Sequence, residues 1–491
     1  LHVSSIISPK DETATKKKIK ASKSACWLRH CVCLFLYQSF LFTNKRGTQT
    51  PTIRASSFVA ALDRATTTTL LRRKEQISTA ANTANANLIT EAPPKASSSI
   101  PLHADSGTHH AQIYIGSPPQ TQIVIVDTGS RIMAFPCERY CVDCGQHVSN
   151  YYYNPENSTT KVWNACQSSD GSMNCHFGKT CEKNKCRAQQ KYTEGSSWTA
   201  YELEDIVWFG TDNEIESLEI HMSLAVPYVF GCQTEETGLF QTQYADGIMG
   251  LGMFPTSLIY ASYIAGSIPR YSFSMCLTKT NGSLNLGGTA LSFHSPALLL
   301  KEKKNGYNKE LGHHLEPMRY TPLLSDEGLF SIQVTAVYVG NIHITQDKKI
   351  LSHFQSKKKP TIIDSGTTDV FLPAGSKEAF SDAWTSISTI EYANANRIYT
   401  WEEYLNLPDI TFVLKDDVYW TITPAHYMEG VVSKKTGEEW IARKEDESKM
   451  LHNRIYLDEP DGTVLGSLAM INHDILFDIE GKRIGLARAV C

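Results

Sequence analysis

The chain has 491 residues, 41% of them hydrophobic, and a formal net charge of −4. That length suffices for two lobes with a buried core, and 47 basic against 51 acidic side chains give no electrostatic case for nucleic acid. Thirteen cysteines are many for a cytosolic chain and point to an oxidising compartment.

In chain order, Lys16, Lys17, Lys18, Lys20 and Lys23 precede the mainly apolar run Cys31–Phe42. That run is short for a membrane span and suits the core of a signal sequence; with Trp27 and Leu28 included, residues 27–42 read instead as a signal anchor. Residues 44–100 are rich in Thr, Ala, Ser and Lys, with one helix-like patch at Phe58–Ile77. They read as a propeptide masking an acidic cleft through Arg72, Arg73 and Lys74, or as a disordered linker.

Ile123-Val124-Ile125-Val126 is a strand pattern covered on both faces, and it runs into Asp127-Thr128-Gly129-Ser130. A carboxylate at the end of an apolar strand is costly unless something holds it. Taken alone, the motif also fits an Asx turn closing a strand. It recurs at Thr361-Ile362-Ile363-Asp364-Ser365-Gly366-Thr367. Each copy has a later partner that mixes apolar residues with glycine, Ala245–Gly252 and Thr463–Ser467, as expected where backbones pass closely. Between them, Tyr192-Thr193-Glu194-Gly195-Ser196 reads as a hairpin tip, followed by a strand pattern from Trp198 to Gly210.

Ten cysteines follow residue 100, an even number that fits five bridges. Seven of them crowd between Asp127 and Tyr192. Cys137, Cys141, Cys144 and His147 have spacings that a zinc site would tolerate. The surrounding segment is rich in Gly, Asn, Ser and Lys with little core of its own, which favours disulfide bracing and no metal. Asn157-Ser158-Thr159 and Asn281-Gly282-Ser283 are glycosylation sequons and agree with a secretory route. The charged stretches Lys301–His314, Asp347–Lys359 and Lys434–Lys449 read as solvated loops, and Ile332–Val339 as one alternating strand.

The paired motifs resemble those of the pepsin-like aspartic proteases over about residues 101–491. The resemblance implies an all-β, bilobal fold with its active site between two lobes. Residues 1–100 would be the signal or anchor segment and propeptide, 101–317 the N-terminal lobe with the cysteine-rich insert, and 318–491 the C-terminal lobe. Asp127 and Asp364 would form the catalytic dyad of a monomeric endopeptidase acting on protein or peptide substrates. Two carboxylates about 4 Å apart at an effective dielectric near 20 repel by about 4 kcal/mol, roughly three pKa units. The pair then shares one proton and supplies both acid and base without metal or cofactor, the established logic of such dyads. By the same resemblance Ser130 and Thr367 donate to the outer carboxylate oxygens, Thr128 and Ser365 link the loops, and Gly129 and Gly366 let them approach. Tyr192, Glu194 and Gly195 would belong to a flap over the substrate. Thr193 departs from the glycine usual there, and Ala134 stands where many members carry a Trp that holds the flap tyrosine.

Phe135–Asn154, Cys181–Ser196, Val229–Phe240 and Tyr271–Gly288 resemble more narrowly the branch of plasmepsin V and Toxoplasma aspartyl protease 5, with an insert similar to that of the nepenthesins. That branch implies an ER or Golgi protease cutting Arg-x-Leu motifs, with Glu194 facing a basic side chain. One bridge is expected between Cys137 and Cys232, which sit beside facing motifs in the N-terminal lobe. Ser149 falls near a second acid of plasmepsin V and carries no charge. Two other readings stand beside this one: a broad-specificity secreted protease, and an inactive binding module. The latter usually lacks an Asp or its adjoining Gly, and neither is lost here.

Overall fold

Strand alternation sets the first half of the molecule. The computed structural model describes residues 94, 96, 98–105, 107–149, 151–167, 172–210, 224–293, 312–325, 328–431 and 449–491, which fall in one compact unit. The segment 27–42, the patch Phe58–Ile77, Arg72, Arg73 and Lys74, and most of the charged stretches at 301–314 and 434–449 lie outside the described residues.

Strands β1 (Ser98–Asp105), β2 (Thr108–Ile115) and β3 (Gln120–Asp127) form an antiparallel meander. Along β3, Val124 and Val126 enter the main core, while Ile123 and Ile125 turn to a second cluster with Trp198, Phe240 and Ile248. Both faces are therefore covered, as the continuous apolar run requires. Gly247–Gly250 lies parallel to β3 with Gly250 level with Asp127. The second half repeats the device: Thr361–Ile363, which ends at Asp364, lies parallel to Thr463–Leu465.

The two halves share a sheet. Strands Ser272–Leu277 and Asn281–Leu286 sit between β1 on one side and the late strands His473–Asp478 and Arg483–Val490 on the other. Cys491 is bridged to Cys276 across this sheet, closing a loop of 215 positions that removes roughly 5 kcal/mol of chain entropy from the unfolded state. Strands dominate the described residues throughout, so the all-β class holds. No described helix is long and apolar enough to cross a membrane.

The ten cysteines do form five bridges. They are Cys137–Cys232, the pairing expected beside the facing motifs, with Cys141–Cys144, Cys166–Cys181, Cys175–Cys186 and Cys276–Cys491. The zinc reading thereby loses its three thiolates. His147 is committed elsewhere: Nδ1 donates to the Gln243 carbonyl and Nε2 lies 3.3 Å from buried Glu236. The insert is braced further by buried Glu202, which accepts from the amides of His176 (2.9 Å) and Phe177 (2.8 Å). Both sequon asparagines, Asn157 and Asn281, are exposed.

Three loop and strand expectations are corrected. Asp347–Lys359 contains the helix Lys348–Phe354, capped by Asp347, with Phe354 buried. Ile350 and Phe354, four apart, share one helical face, a signal masked by the surrounding lysines. His314 is no solvated residue either; it is buried with Nε2 2.8 Å from the Asp474 carboxylate. Ile332–Val339 is two strands rather than one, because Ser331–Ile332 pairs with Thr361–Ile362 while Val334–Val339 pairs with Ile410–Leu414.

Candidate active site

The two aspartate loops meet between the halves and interlock through four hydrogen bonds. The Thr128 amide donates to Ser365 Oγ (3.0 Å), and the Ser365 amide donates to Thr128 Oγ1 (2.9 Å). Each hydroxyl then donates onward to the opposite strand, Thr128 Oγ1 to the Ile363 carbonyl (2.9 Å) and Ser365 Oγ to the Val126 carbonyl (2.7 Å). Both hydroxyls are buried, and this arrangement satisfies each as donor and acceptor at once.

Glycine makes the approach feasible. A Cβ on Gly129 would stand 2.4 Å from Asp364 Oδ1, and one on Gly366 would stand 2.3 Å from Asp127 Oδ1. Each carboxylate thus rests against the glycine of the opposite loop. Each also accepts from the amide two residues on, Gly129 to Asp127 Oδ1 (2.7 Å) and Gly366 to Asp364 Oδ1 (3.0 Å). Thr367 Oγ1 donates to Asp364 Oδ2 at 2.7 Å. Ser130 is not its mirror image. Its buried hydroxyl lies beside Asp127 and Tyr192 but makes no well-aligned hydrogen bond to either, so the donor role expected of Ser130 is at most a weak one here.

Burial, followed by the charge of Asp364, pushes the Asp127 carboxyl well above the usual carboxylate range; Ser130 and the Gly129 amide oppose the rise. The proton belongs to the pair and not to either residue.

Tyr192–Ser196 is a tight hairpin tip. The Tyr192 amide donates to the Ser196 carbonyl (2.9 Å), the Gly195 amide donates to the Tyr192 carbonyl (3.1 Å), and Gly195 has φ +101°, a region that favours glycine. Thr193, exposed, has no such requirement. Trp198 Nε1 donates to the Tyr192 hydroxyl (3.2 Å), and Phe240 packs on the Tyr192 ring at 5.1 Å. The indole that Ala134 does not provide therefore comes from the hairpin's own outgoing strand. Trp198 was not singled out in the sequence; its signal was a buried-face position two residues past the hairpin tip.

Glu194 Oε1 is buried and without a hydrogen-bond partner among the described residues. Ser149 instead serves Asp246, through its amide (3.1 Å) and its hydroxyl. Asp246 also accepts from the Ile123 amide of β3 at 2.6 Å, so the cysteine-rich segment buttresses the strand that carries Asp127. A cavity of about 680 Å³ around Leu324, Ile332 and Phe354 contains neither aspartate and takes no part in this arrangement.

Comparison with known families and proteins accords with this geometry. The family model described as Xylanase inhibitor N-terminal matches residues 109–288, and that described as Xylanase inhibitor C-terminal matches residues 329–488. Together they cover well over half of the chain, and the chain belongs to the pepsin-like aspartic protease family. Among named relatives, it is 25% identical over 417 residues to Aspartic protease 5 of Toxoplasma gondii, covering 77% of this chain and 36% of that protein. It is 31% identical over 180 residues to Plasmepsin V of Plasmodium falciparum, covering 36% and 28% respectively. Aspartic proteinase nepenthesin-2 of Nepenthes gracilis is 27% identical over 297 residues, 58% of this chain and 57% of that protein. The chain spans about a third of the length of the first curated relatives it matches.

Proposed function

We propose that this protein is an aspartic endopeptidase in which Asp127 and Asp364 act as one proton-sharing pair on a bound water. The observation that carries the reading is the interlock itself, which brings the two carboxylates into hydrogen-bonding reach in a buried site. The ionised carboxyl takes a proton from water as oxygen attacks the peptide carbon. The protonated one gives its proton to the carbonyl oxygen, and collapse of the tetrahedral species returns a proton to the leaving amine. Thr367 and the two glycine amides hold the oxygens in place, and the Tyr192 hairpin covers the substrate.

The family models carry the name of inhibitors, which keeps an inactive module as the rival. Both aspartates, both adjoining glycines and the complete interlock favour the enzyme, since an inhibitor needs none of these to persist. Five disulfides support residence in an oxidising, secretory compartment. For specificity, Glu194 on the hairpin supports recognition of a basic side chain in Arg-x-Leu-like sequences: a buried oxygen with no partner among the described residues suits a guanidinium. Ser149 adds nothing there because it is held by Asp246.

One peptide library separates these readings. The wild type should hydrolyse it, while Asp127→Asn and Asp364→Asn should each be inactive yet fold normally, and the double variant should be hardly worse. Glu194→Gln should weaken Arg-containing peptides by about 2 kcal/mol, roughly thirtyfold, and leave the others alone. Equal losses across the library would leave a broad-specificity protease; turnover by Asp364→Asn would defeat the dyad.

A further inference from the structure

Successive side chains of a strand point to opposite faces, so Asp127, Ile125 and Ile123 share one face of β3. Register carries that face across the meander. His110 on β2 stands directly opposite Ile125, and His103 on β1 stands directly opposite His110. Residues directly opposite one another lie on the same side of a sheet. His103, His110 and Ile125 therefore make one row, and Asp127 belongs to the next. His110 is a diagonal neighbour of Asp127, with a Cα separation on the order of 7–8 Å.

A cavity of about 320 Å³ opens at this place, lined by His103, Asp105, His110, Ile123, Val148 and Tyr244. The His110 ring packs against Tyr244 at 5.2 Å and is only 4% exposed. Its imidazole makes no hydrogen bond to any described residue. Burial, with a smaller contribution from His103, pushes its pKa down to about 4, against the pull of Asp105. The ring is thus neutral through most of the range in which a carboxylate dyad operates, so one of its nitrogens carries no proton and can accept a hydrogen bond.

We infer that this cavity is a specificity pocket for one substrate side chain near the scissile bond, and that His110 is the residue that reads it. The occupant that fits is uncharged, with an apolar body and a single hydrogen-bonding tip; tyrosine matches best. Its ring packs on Tyr244 and Ile123, and its hydroxyl donates to the unprotonated nitrogen of His110. The inference rests on the peptidase reading and adds a second recognition point, separate from Glu194.

Paired peptides differing as Tyr against Phe, at each position within about four residues of the cleavage point, test it. Sites built around a hydroxyl discriminate against the analogue lacking it. The wild type should favour Tyr at one position by roughly three- to tenfold in kcat/KM, the value of one neutral hydrogen bond. His110→Leu should erase that ratio while turnover of the Phe peptide persists, and His110→Gln should restore part of it. An unchanged ratio in His110→Leu, or an equal loss on every peptide, would overturn the assignment. If His110→Leu does not fold, His110→Gln and Tyr244→Ala carry the same comparison. If the wild type hydrolyses nothing, the peptidase reading fails by itself. Calorimetric binding of the same peptide pairs to wild type and variants then decides the pocket: a Tyr preference that depends on His110 sustains it, and its absence overturns it.

Discussion

The two aspartate loops match in backbone and differ in support. Asp127 ends an eight-residue strand, Gln120–Asp127, packed on its second face by the cluster of Trp198 and Phe240 against which Tyr192 lies. Asp364 follows a three-residue strand, Thr361–Ile363, and is clamped at Oδ2 by Thr367, where the first loop has only the misaligned Ser130. The duplicated parts, glycines and crossed hydroxyls, set the distance between the carboxylates. The unmatched parts, Thr367 and Ser130, hold the two carboxylates differently, so the two halves share a geometry and differ in how firmly each fixes its oxygens.

Substitution of the glycines tests the shared part and carries the largest expected effect. Gly129→Ala and Gly366→Ala each drive a methyl group into the opposite carboxyl, at 2.4 and 2.3 Å. Misplacement on that scale costs about a hundredfold in rate. Peptide hydrolysis should show losses of at least that size, similar for both; tolerance of one alone would break the symmetry.

The hydroxyls test the unmatched part. Thr367→Val removes a hydrogen bond to a carboxylate, worth about 1.5–3 kcal/mol, and should lower kcat/KM by roughly tenfold to a hundredfold while shifting the acid limb of the pH profile. Ser130→Ala, lacking an aligned bond to lose, should stay within about threefold. Equal effects would mean that Ser130 closes on Asp127 once substrate is bound.

A third test uses pH and belongs to the second half alone. Asp369 lies five residues past Asp364, where the first loop has Ile132. Burial raises its carboxyl to about 6, against the attraction of Arg454 at 2.7 Å and with a further push from Glu429. Because the folded value exceeds the unfolded one of 3.8, the protein binds an extra proton between them. The associated stability is full below about pH 4 and is lost as pH rises towards 6, on the order of 3 kcal/mol. Relative to Asp369→Asn, the wild-type melting temperature should fall across that window by a few degrees and run parallel above it. A difference independent of pH would show that Asp369 stays ionised throughout.

What the sequence made legible was local. A strand ending in an aspartate, a small hydroxyl and a glycine is written in consecutive residues, so both loops and their later glycine partners were readable before any coordinates. The expected Cys137–Cys232 bridge followed from the same motifs. What stayed hidden depended on register between distant strands. Trp198 reaches Tyr192 because a hairpin folds back on itself, and Ser149 meets Asp246 across 97 positions. Neither pairing leaves a periodic trace. The helix Lys348–Phe354 was hidden because the two residues that dock it, Ile350 and Phe354, lie in a stretch that carries lysines on both sides.

The bridge from Cys276 to Cys491 has a consequence that bears on the proposed peptidase activity. It makes a covalent ring of everything between those two residues, including Asp364 and its loop. One backbone cut anywhere inside a ring opens it without releasing a fragment. The half that carries Asp364 can thus be nicked, even by a neighbouring copy, and remain tethered at both broken ends to the shared sheet. Intact activity alongside two bands that separate only after reduction is the signature such a ring would leave.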